Sequence, residues 1–265
     1  MVARRPRGVG GDRLGKPGKG RAEPRGTSQP PCYSAAVVPR TRIKICGVTT
    51  PEAAMVAARA GADAVGLVFV DGSPRRVSLE QARAVIATLP AFVAPVGLFV
   101  DADGDTVRRT ASALQLRTVQ LHGHESPAMV SQLAPLRVLK AVAFESRQIT
   151  EQLAAWRDVP NLAGILFDAA PPSPDSPPAD RGGTGRRFDW DALAALIHAG
   201  IFRGQDLPPL VLAGGLTPGN VRDAIRRLHP YAVDVSSGVE SSRGVKDLAL
   251  IRAFCEAVRL ADAPG

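Results

Sequence analysis

Three side chains able to move protons stand at the ends of short apolar runs. Cys46 closes Arg42–Cys46, His122 follows Thr118–Leu121, and Asp168 follows Gly164–Phe167. A thiol has an ordinary pKa of about 8.5, and nearby positive charge lowers it, so that a thiolate is available as a base near neutral pH. Cys46 reads equally well as a buried, inert cysteine, since cysteine is among the commonest interior residues. Asp168 is not a core residue, because an unpaired buried carboxylate is too costly; it is a loop cap or a general acid. His122 suits duty as acid, base or ligand. His124 follows two residues later, but no third ligand stands near the pair, and no metal site is expected.

A second set of residues suits anions. Arg75 follows the second apolar run in Asp71-Gly72-Ser73-Pro74-Arg75-Arg76 and is either a bidentate clamp for a carboxylate or a solvated surface charge. Gly182-Gly183-Thr184-Gly185, Ala213-Gly214-Gly215-Leu216 and Ser236-Ser237-Gly238-Val239-Glu240 are glycine-bearing segments. Backbone amides in such loops hold phosphate, and glycines there also serve as plain turns. No Gly-x-x-x-x-Gly-Lys-Ser/Thr run is present, so nucleoside triphosphate use is not supported.

The elements that must position these residues alternate. Candidate strands are Arg42–Cys46, Ala64–Phe69, Ala94–Phe99, Thr118–Leu121, Val138–Ala141, Gly164–Phe167, Leu210–Leu212 and Ala232–Val235. Amphipathic stretches rich in Ala, Leu and Arg separate them, and Lys246–Leu260 follows the last. Pro51–Arg59 opens with Thr50 as a cap and Pro51 at the first helical position. Val221, Ile225 and Leu228 recur at helical spacing. Eight such units in roughly 220 residues predict an α/β chain folded as a single (β/α)8 TIM barrel. A doubly wound sheet has the same alternation, but no dinucleotide fingerprint follows the first strand. Chemistry on a barrel sits at the C-terminal ends of the strands, where Cys46 on strand one and Asp168 on strand six face each other across the mouth. The loops after strands seven and eight are the usual barrel phosphate site, and they carry Gly214, Gly215, Ser237 and Gly238.

Net charge is +8, yet residues 1–40 hold nine Lys/Arg against Asp12 and Glu23, which leaves +7 there and about +1 for the rest. The high pI therefore says little about the ligand of the folded part. Residues 1–40 are rich in Gly, Pro and Arg, lack a hydrophobic period and read as a disordered tail; 41–265 read as the barrel domain. A basic tail can bind nucleic acid, but an unselected extension is the preferred reading, and nucleic acid is not an expected partner. No apolar run approaches the roughly 20 residues that span a bilayer. Three widely spaced cysteines, Cys32, Cys46 and Cys255, form no disulfide framework, and the expected location is the cytoplasm.

Taken together, the motifs resemble those of phosphoribosylanthranilate isomerases. They are Lys-Ile-Cys-Gly-Val-Thr at 44–49, Ser-Pro-Arg at 73–75, Gln-Leu-His-Gly at 120–123, Phe-Asp at 167–168 and Gly-Gly-Thr-Gly at 182–185 with Phe188-Asp189-Trp190. Leu-Ala-Gly-Gly-Leu at 212–216 with Asn220-Val221, and Val-Asp-Val-Ser-Ser-Gly-Val-Glu at 233–240 with Lys246-Asp247, complete the series. The resemblance implies Cys46 as general base and Asp168 as general acid. It implies Arg75 on the anthranilate carboxylate, Gly183, Gly214, Gly215, Ser237 and Gly238 around the phosphate, Asp234 near the sugar, and His122 near the mouth. It further implies a phosphosugar substrate, an Amadori rearrangement in tryptophan biosynthesis, no cofactor, and a monomer or homodimer.

Two segments depart from the family pattern: the tail, and Ala169–Arg181 with its five prolines, which reads as a lid or a surface excursion. The nearest rival function is the histidine-pathway aldose isomerase, which is expected to use carboxylates at both proton-transfer positions; Cys46 argues against it. A non-catalytic phosphosugar-binding barrel is the rival from another class, and it has no need of both Cys46 and Asp168.

Overall fold

The computed structural model describes residues 40–144, 149–169, 188–200 and 208–263. Eight parallel strands close on themselves in sequence order. They are β1 (Arg42–Cys46), β2 (Ala64–Val68), β3 (Ala94–Phe99), β4 (Thr118–Leu121), β5 (Arg137–Ala143), β6 (Leu162–Asp168), β7 (Leu210–Leu212) and β8 (Ala232–Val235). Eight helices alternate with them: α1 (Pro51–Ala60), α2 (Leu79–Ala87), α3 (Gly104–Ala113), α4 (Pro127–Gln132), α5 (Ile149–Ala154), α6 (Trp190–His198), α7 (Val221–Leu228) and α8 (Leu248–Asp262). The chain is thus a (β/α)8 barrel and not an open sheet, because β1 pairs with both β2 and β8.

Local chemistry sets the helix ends. Thr50 accepts from the Ala53 amide and Pro51 opens α1, which stops at Gly61 in the left-handed conformation. Ser78 and Gln81 form a reciprocal capping box on α2. The motif residues Asp189 and Asp247 also prove to be helix caps, each accepting two amides at the start of α6 and α8. On α7 the buried residues are Val221, Ala224, Ile225 and Leu228, the periodic set and one alanine between them.

The main core fills the space between strands and helices, with Val65, Leu121, Ile165, Val233 and Phe254 fully buried. Inside the barrel Ala141, Leu166, Val211, Ala213 and Ala232 pack as a separate cluster, so the interior below the mouth is filled by side chains. Nearer that mouth lie Cys46, Val68, Val70 and Leu98. After β8 a 3₁₀ turn (Ser237–Val239) leads into a short antiparallel hairpin, β9 (Glu240–Ser242) and β10 (Val245–Lys246). Gly244 at its tip has a φ of +90°, and a Cβ there would lie 2.6 Å from the Pro74 carbonyl oxygen. The hairpin therefore packs directly on the loop that carries Arg75. Among the described residues, no helix is long and apolar enough to cross a membrane.

Candidate active site

One cavity of about 680 Å³, counted with the space open to solvent, occupies the C-terminal mouth of the barrel. Cys46, Arg75, His122, Asp168, Gly214, Gly215, Asp234, Ser237 and Gly238 all line it. Gly183, with the rest of Gly182–Gly185 and all but the first residue of the proline-rich 169–181 segment, lies outside the described residues.

Cys46 sits where strand alternation aims it inward. Lys44, two residues earlier, shares that face. In register, Lys44 pairs with Asp234 on β8 and Cys46 with Gly66 on β2. The Lys44 Nζ donates to Asp234 Oδ2 at 2.8 Å, and both side chains are about 5% exposed. A Cβ on Gly66 would lie 2.7 Å from the Cys46 Sγ and 3.2 Å from the Lys44 Nζ, so the bare glycine makes room for both. Positive charge does not dominate the thiol. Burial pushes it above its ordinary value and Asp234 adds to that, while Lys44 and Lys246 pull it down. For Lys44, burial opposes the charge, but Asp234 and the thiol restore it and hold the ammonium above its usual range.

Arg75 is buried rather than a solvated surface charge. Its Nε and Nη2 donate to the two carboxylate oxygens of Glu240 at 2.8 and 2.9 Å. Lys246 donates to Glu240 at 2.6 Å and to the Ser236 carbonyl at 2.9 Å. Burial alone would raise the Glu240 carboxyl, but the hydrogen bonds from Arg75 and the charge of Lys246 hold it down at about 2. The space beside Gly47 is not open to a ligand: a Cβ there would lie 2.6 Å from Arg75 Cδ, so the arginine stem occupies it.

Across the mouth, Asp168 at the end of β6 accepts from its neighbour's amide, Ala169, at 2.7 Å. Its other oxygen lies 3.3 Å from His122 Nε2. Gln120, fully buried on β4, reaches His122 Nδ1 at 3.0 Å. Gly214 abuts this carboxylate, since a Cβ there would lie 2.9 Å from Asp168 Oδ1.

The loops after β7 and β8 form a concave backbone surface. Gly214 and Gly215 have φ values of +78° and +63°, a conformation that favours glycine. Asn220 braces this turn, accepting from the Thr217 amide at 2.8 Å and donating to the Gly215 carbonyl at 2.9 Å. Gly238 is required for close approach, because a Cβ would lie 1.8 Å from the Leu216 carbonyl oxygen. Among the described residues, the amides of Gly215, Ser237 and Gly238 donate to no backbone carbonyl, which leaves them able to hold an anion.

Lys44, Gln120, Asn220, Glu240 and Lys246 gain structural roles that the sequence reading did not give them. Alternation was the available signal for two of them: Lys44 precedes Cys46 by two positions and Gln120 precedes His122 by two.

A closed parallel barrel with titratable side chains and a glycine cradle at the strand C-termini defines a (β/α)8-barrel enzyme. A family profile for N-(5'-phosphoribosyl)anthranilate (PRA) isomerase matches residues 43–257. The chain belongs to that family, a group of isomerases in tryptophan biosynthesis. It is 48% identical over 214 residues to the N-(5'-phosphoribosyl)anthranilate isomerase of Geobacter sp. (strain M21), covering 81% of this chain and 96% of the relative. Against the enzyme of Pseudomonas paraeruginosa (strain DSM 24068 / PA7) the identity is 46%, covering 84% and 97%. The crystal structure of the Thermotoga maritima isomerase superposes with a TM-score of 0.70 at 39% identity, covering 83% of this chain and 98% of that one. A phosphoribosyl anthranilate isomerase solved in complex with reduced 1-(o-carboxyphenylamino)-1-deoxyribulose 5-phosphate gives 0.68 at 36%, with the same coverage.

Proposed function

We propose that the barrel mouth isomerises N-(5-phosphoribosyl)anthranilate to 1-(2-carboxyphenylamino)-1-deoxyribulose 5-phosphate, with Asp168 as general acid and Cys46 as general base. The observation that carries this reading is the convergence of Cys46, Asp168 and the glycine–serine cradle on one cavity. The carboxyl of Asp168 gives its proton to the furanose ring oxygen, and the ring C–O bond breaks to leave an iminium at C1. The Cys46 thiolate takes the proton from C2, and the C–H electron pair becomes the C1–C2 double bond of an enolamine. Ketonisation moves a proton to C1 and leaves the carbonyl at C2. The atoms of the substrate are conserved, and the protein's part in ring opening and tautomerisation is the transfer of protons.

The remaining residues bind. Gly214, Gly215, Ser237 and Gly238 take the phosphate, Asp234 the sugar hydroxyls, Arg75 the anthranilate carboxylate, and His122 the region beside the acid. Gly183 is carried by the motif resemblance alone. Phosphate binding far from the reacting carbons fixes the orientation of C1 and C2. The working form is a monomer or homodimer in the cytoplasm, with residues 1–40 as a tail apart from the 41–265 barrel.

The test is turnover of freshly made phosphoribosylanthranilate by Cys46→Ser and Asp168→Asn. Each loses at least about 10²-fold, since general acid–base groups contribute about 10²–10⁴-fold. Affinity for a reduced product analogue stays nearly unchanged. If Cys46→Ser keeps near-normal turnover, the thiol is only packing and His122 is the next candidate base.

A further inference from the structure

We propose that Lys44 is a positioning residue for the Cys46 base: its buried ammonium, anchored on Asp234, stabilises the thiolate and aims it into the cavity. This rests on the reading of Cys46 as the base.

Geometry carries the inference. A lysine side chain inside a barrel is expensive, because burial disfavours its charged form by several kcal/mol unless it is paired. Lys44 is 4% exposed. Its Nζ donates to Asp234 Oδ2 at 2.8 Å, and it lies beside the Cys46 thiol, both atoms flanking the one point a Gly66 Cβ would occupy. A Cβ at position 66 would lie 2.7 Å from the Cys46 Sγ and 3.2 Å from the Lys44 Nζ, so the bare glycine leaves room for thiol and ammonium on one side of the strand. Four residues on three neighbouring strands thus build one device: Lys44 and Cys46 on β1, Asp234 opposite Lys44 on β8, and Gly66 opposite Cys46 on β2.

Asp234 has a second function in it. One carboxylate oxygen holds Lys44, while the other, Oδ1, is buried without a partner among the described residues. A sugar hydroxyl that donates to Oδ1 draws negative charge away from the ammonium, and the ammonium then acts more fully on sulfur. Substrate entry therefore raises the fraction of Cys46 present as thiolate.

Charges facing the thiol from the surrounding elements are few. Lys246 on β10 favours the thiolate and Asp234 opposes it. Arg75 and Glu240 neutralise each other beyond Lys246, and Asp168 with His122 stands across the cavity. Lys44 is the charge nearest the sulfur on its own strand.

The experiment is the pH dependence of alkylation at Cys46, read by mass spectrometry of the Cys46 peptide with iodoacetamide as probe, beside kcat against pH. Lys44→Gln raises the alkylation midpoint by about one to three pH units, the range for loss of a neighbouring opposite charge. The alkaline-rising limb of kcat moves with it, while affinity for a reduced product analogue holds within a few fold. Lys44→Arg keeps the charge and the original midpoint. A packing role for Lys44 leaves the Lys44→Gln midpoint unmoved. If Lys44→Gln fails to fold, Lys44→Met takes its place, and a midpoint that stays or falls overturns the proposal. Turnover of Cys46→Ser separates this proposal from the reading beneath it. With Cys46→Ser inactive and the midpoints unmoved, Lys44 alone loses its role; an active Cys46→Ser overturns the base assignment itself.

Discussion

The ring of His122 is held from both sides, with Nε2 3.3 Å from Asp168 Oδ2 and Nδ1 3.0 Å from Gln120 Nε2. With the Gln120 amide donating, Nδ1 is the acceptor and Nε2 carries the hydrogen that faces the carboxyl group. His122 thus fixes the orientation of Asp168, and Gln120 selects the tautomer that does so. Replacing His122 by Ala frees the carboxyl to rotate. Steady-state kinetics should show turnover falling by up to about 10²-fold, the cost of a misplaced catalytic group, with binding of a reduced product analogue little changed. Gln120→Leu should act in the same direction and more weakly. Equal losses of kcat and affinity would mean that the ring binds substrate instead.

Glu240 links acid stability to the site. Its folded pKa of about 2 lies below its ordinary 4.5, so its contribution is fully present above about pH 4.5 and is lost as the pH falls towards 2. Glu240→Gln removes this proton uptake. The variant should be less stable at neutral pH, where Arg75 and Lys246 lose their anion, and its stability should fall less steeply on acidification between those two values. Denaturant midpoints across that window check both signs. A parallel acid limb in the two proteins would show that Glu240 is not the group responsible.

Much of the frame was legible because it is local. The buried strands are apolar runs bounded by turn residues, and β1, β3, β4, β7 and β8 begin and end where that pattern does. Strands β5 and β6 run further in both directions, to Arg137–Ala143 and Leu162–Asp168, because barrel pairing continues past the apolar stretch. The β9–β10 hairpin escaped notice because Glu240-Ser241-Ser242-Arg243-Gly244-Val245-Lys246 is mostly polar and has no clean alternation; contact with Pro74 places it. The described candidates, which leave out Gly183, line one mouth as strand-end reasoning expects. What remained hidden were pairings across the chain. Lys44 and Asp234 are 190 residues apart, and Arg75 and Glu240 are 165 apart. No local signal tells a buried lysine from a solvated one until its partner strand is known.

Residues 1–40 should be dispensable for turnover. At the edge of the described chain, Arg40 pairs with Asp63, and the arginine is largely exposed, so the pair is worth little. The barrel is tied down from Thr41 onward by its two hydrogen bonds to Asp262, each 2.7 Å. Deleting 1–40 should leave the isomerase rate within about twofold, under about 0.4 kcal/mol of barrier. A tenfold loss would mean that the segment contributes to the site or supports the barrel.

Two adjacent glycines allow acid and phosphate functions to be separated. On the proposed assignment Gly215 holds the phosphate, and Gly215→Asp sets a carboxylate where the dianion should lie; repulsion and steric blocking should abolish binding of a phosphosugar analogue. Gly214 keeps its backbone amide for the phosphate in Gly214→Ala, but its Cα side faces Asp168. A methyl group there would stand 2.9 Å from both Asp168 Oδ1 and the Ala169 amide nitrogen, the two atoms that share the short hydrogen bond behind the acid. Its φ of +78° adds a backbone cost of roughly 1–2 kcal/mol for any L side chain. Since backbone cannot yield as a flexible side chain does, Gly214→Ala should push the Asp168 carboxyl off its line to the substrate. Turnover should fall by about 10²-fold, while the affinity for inorganic phosphate or a reduced product analogue should change only a few fold. The ratio of the two losses is the measurement. Gly215→Asp should lose mainly affinity and Gly214→Ala mainly kcat. Should Gly214→Ala instead bind the analogue poorly and turn over bound substrate at the normal rate, the glycine serves the phosphate alone and does not hold the acid in place.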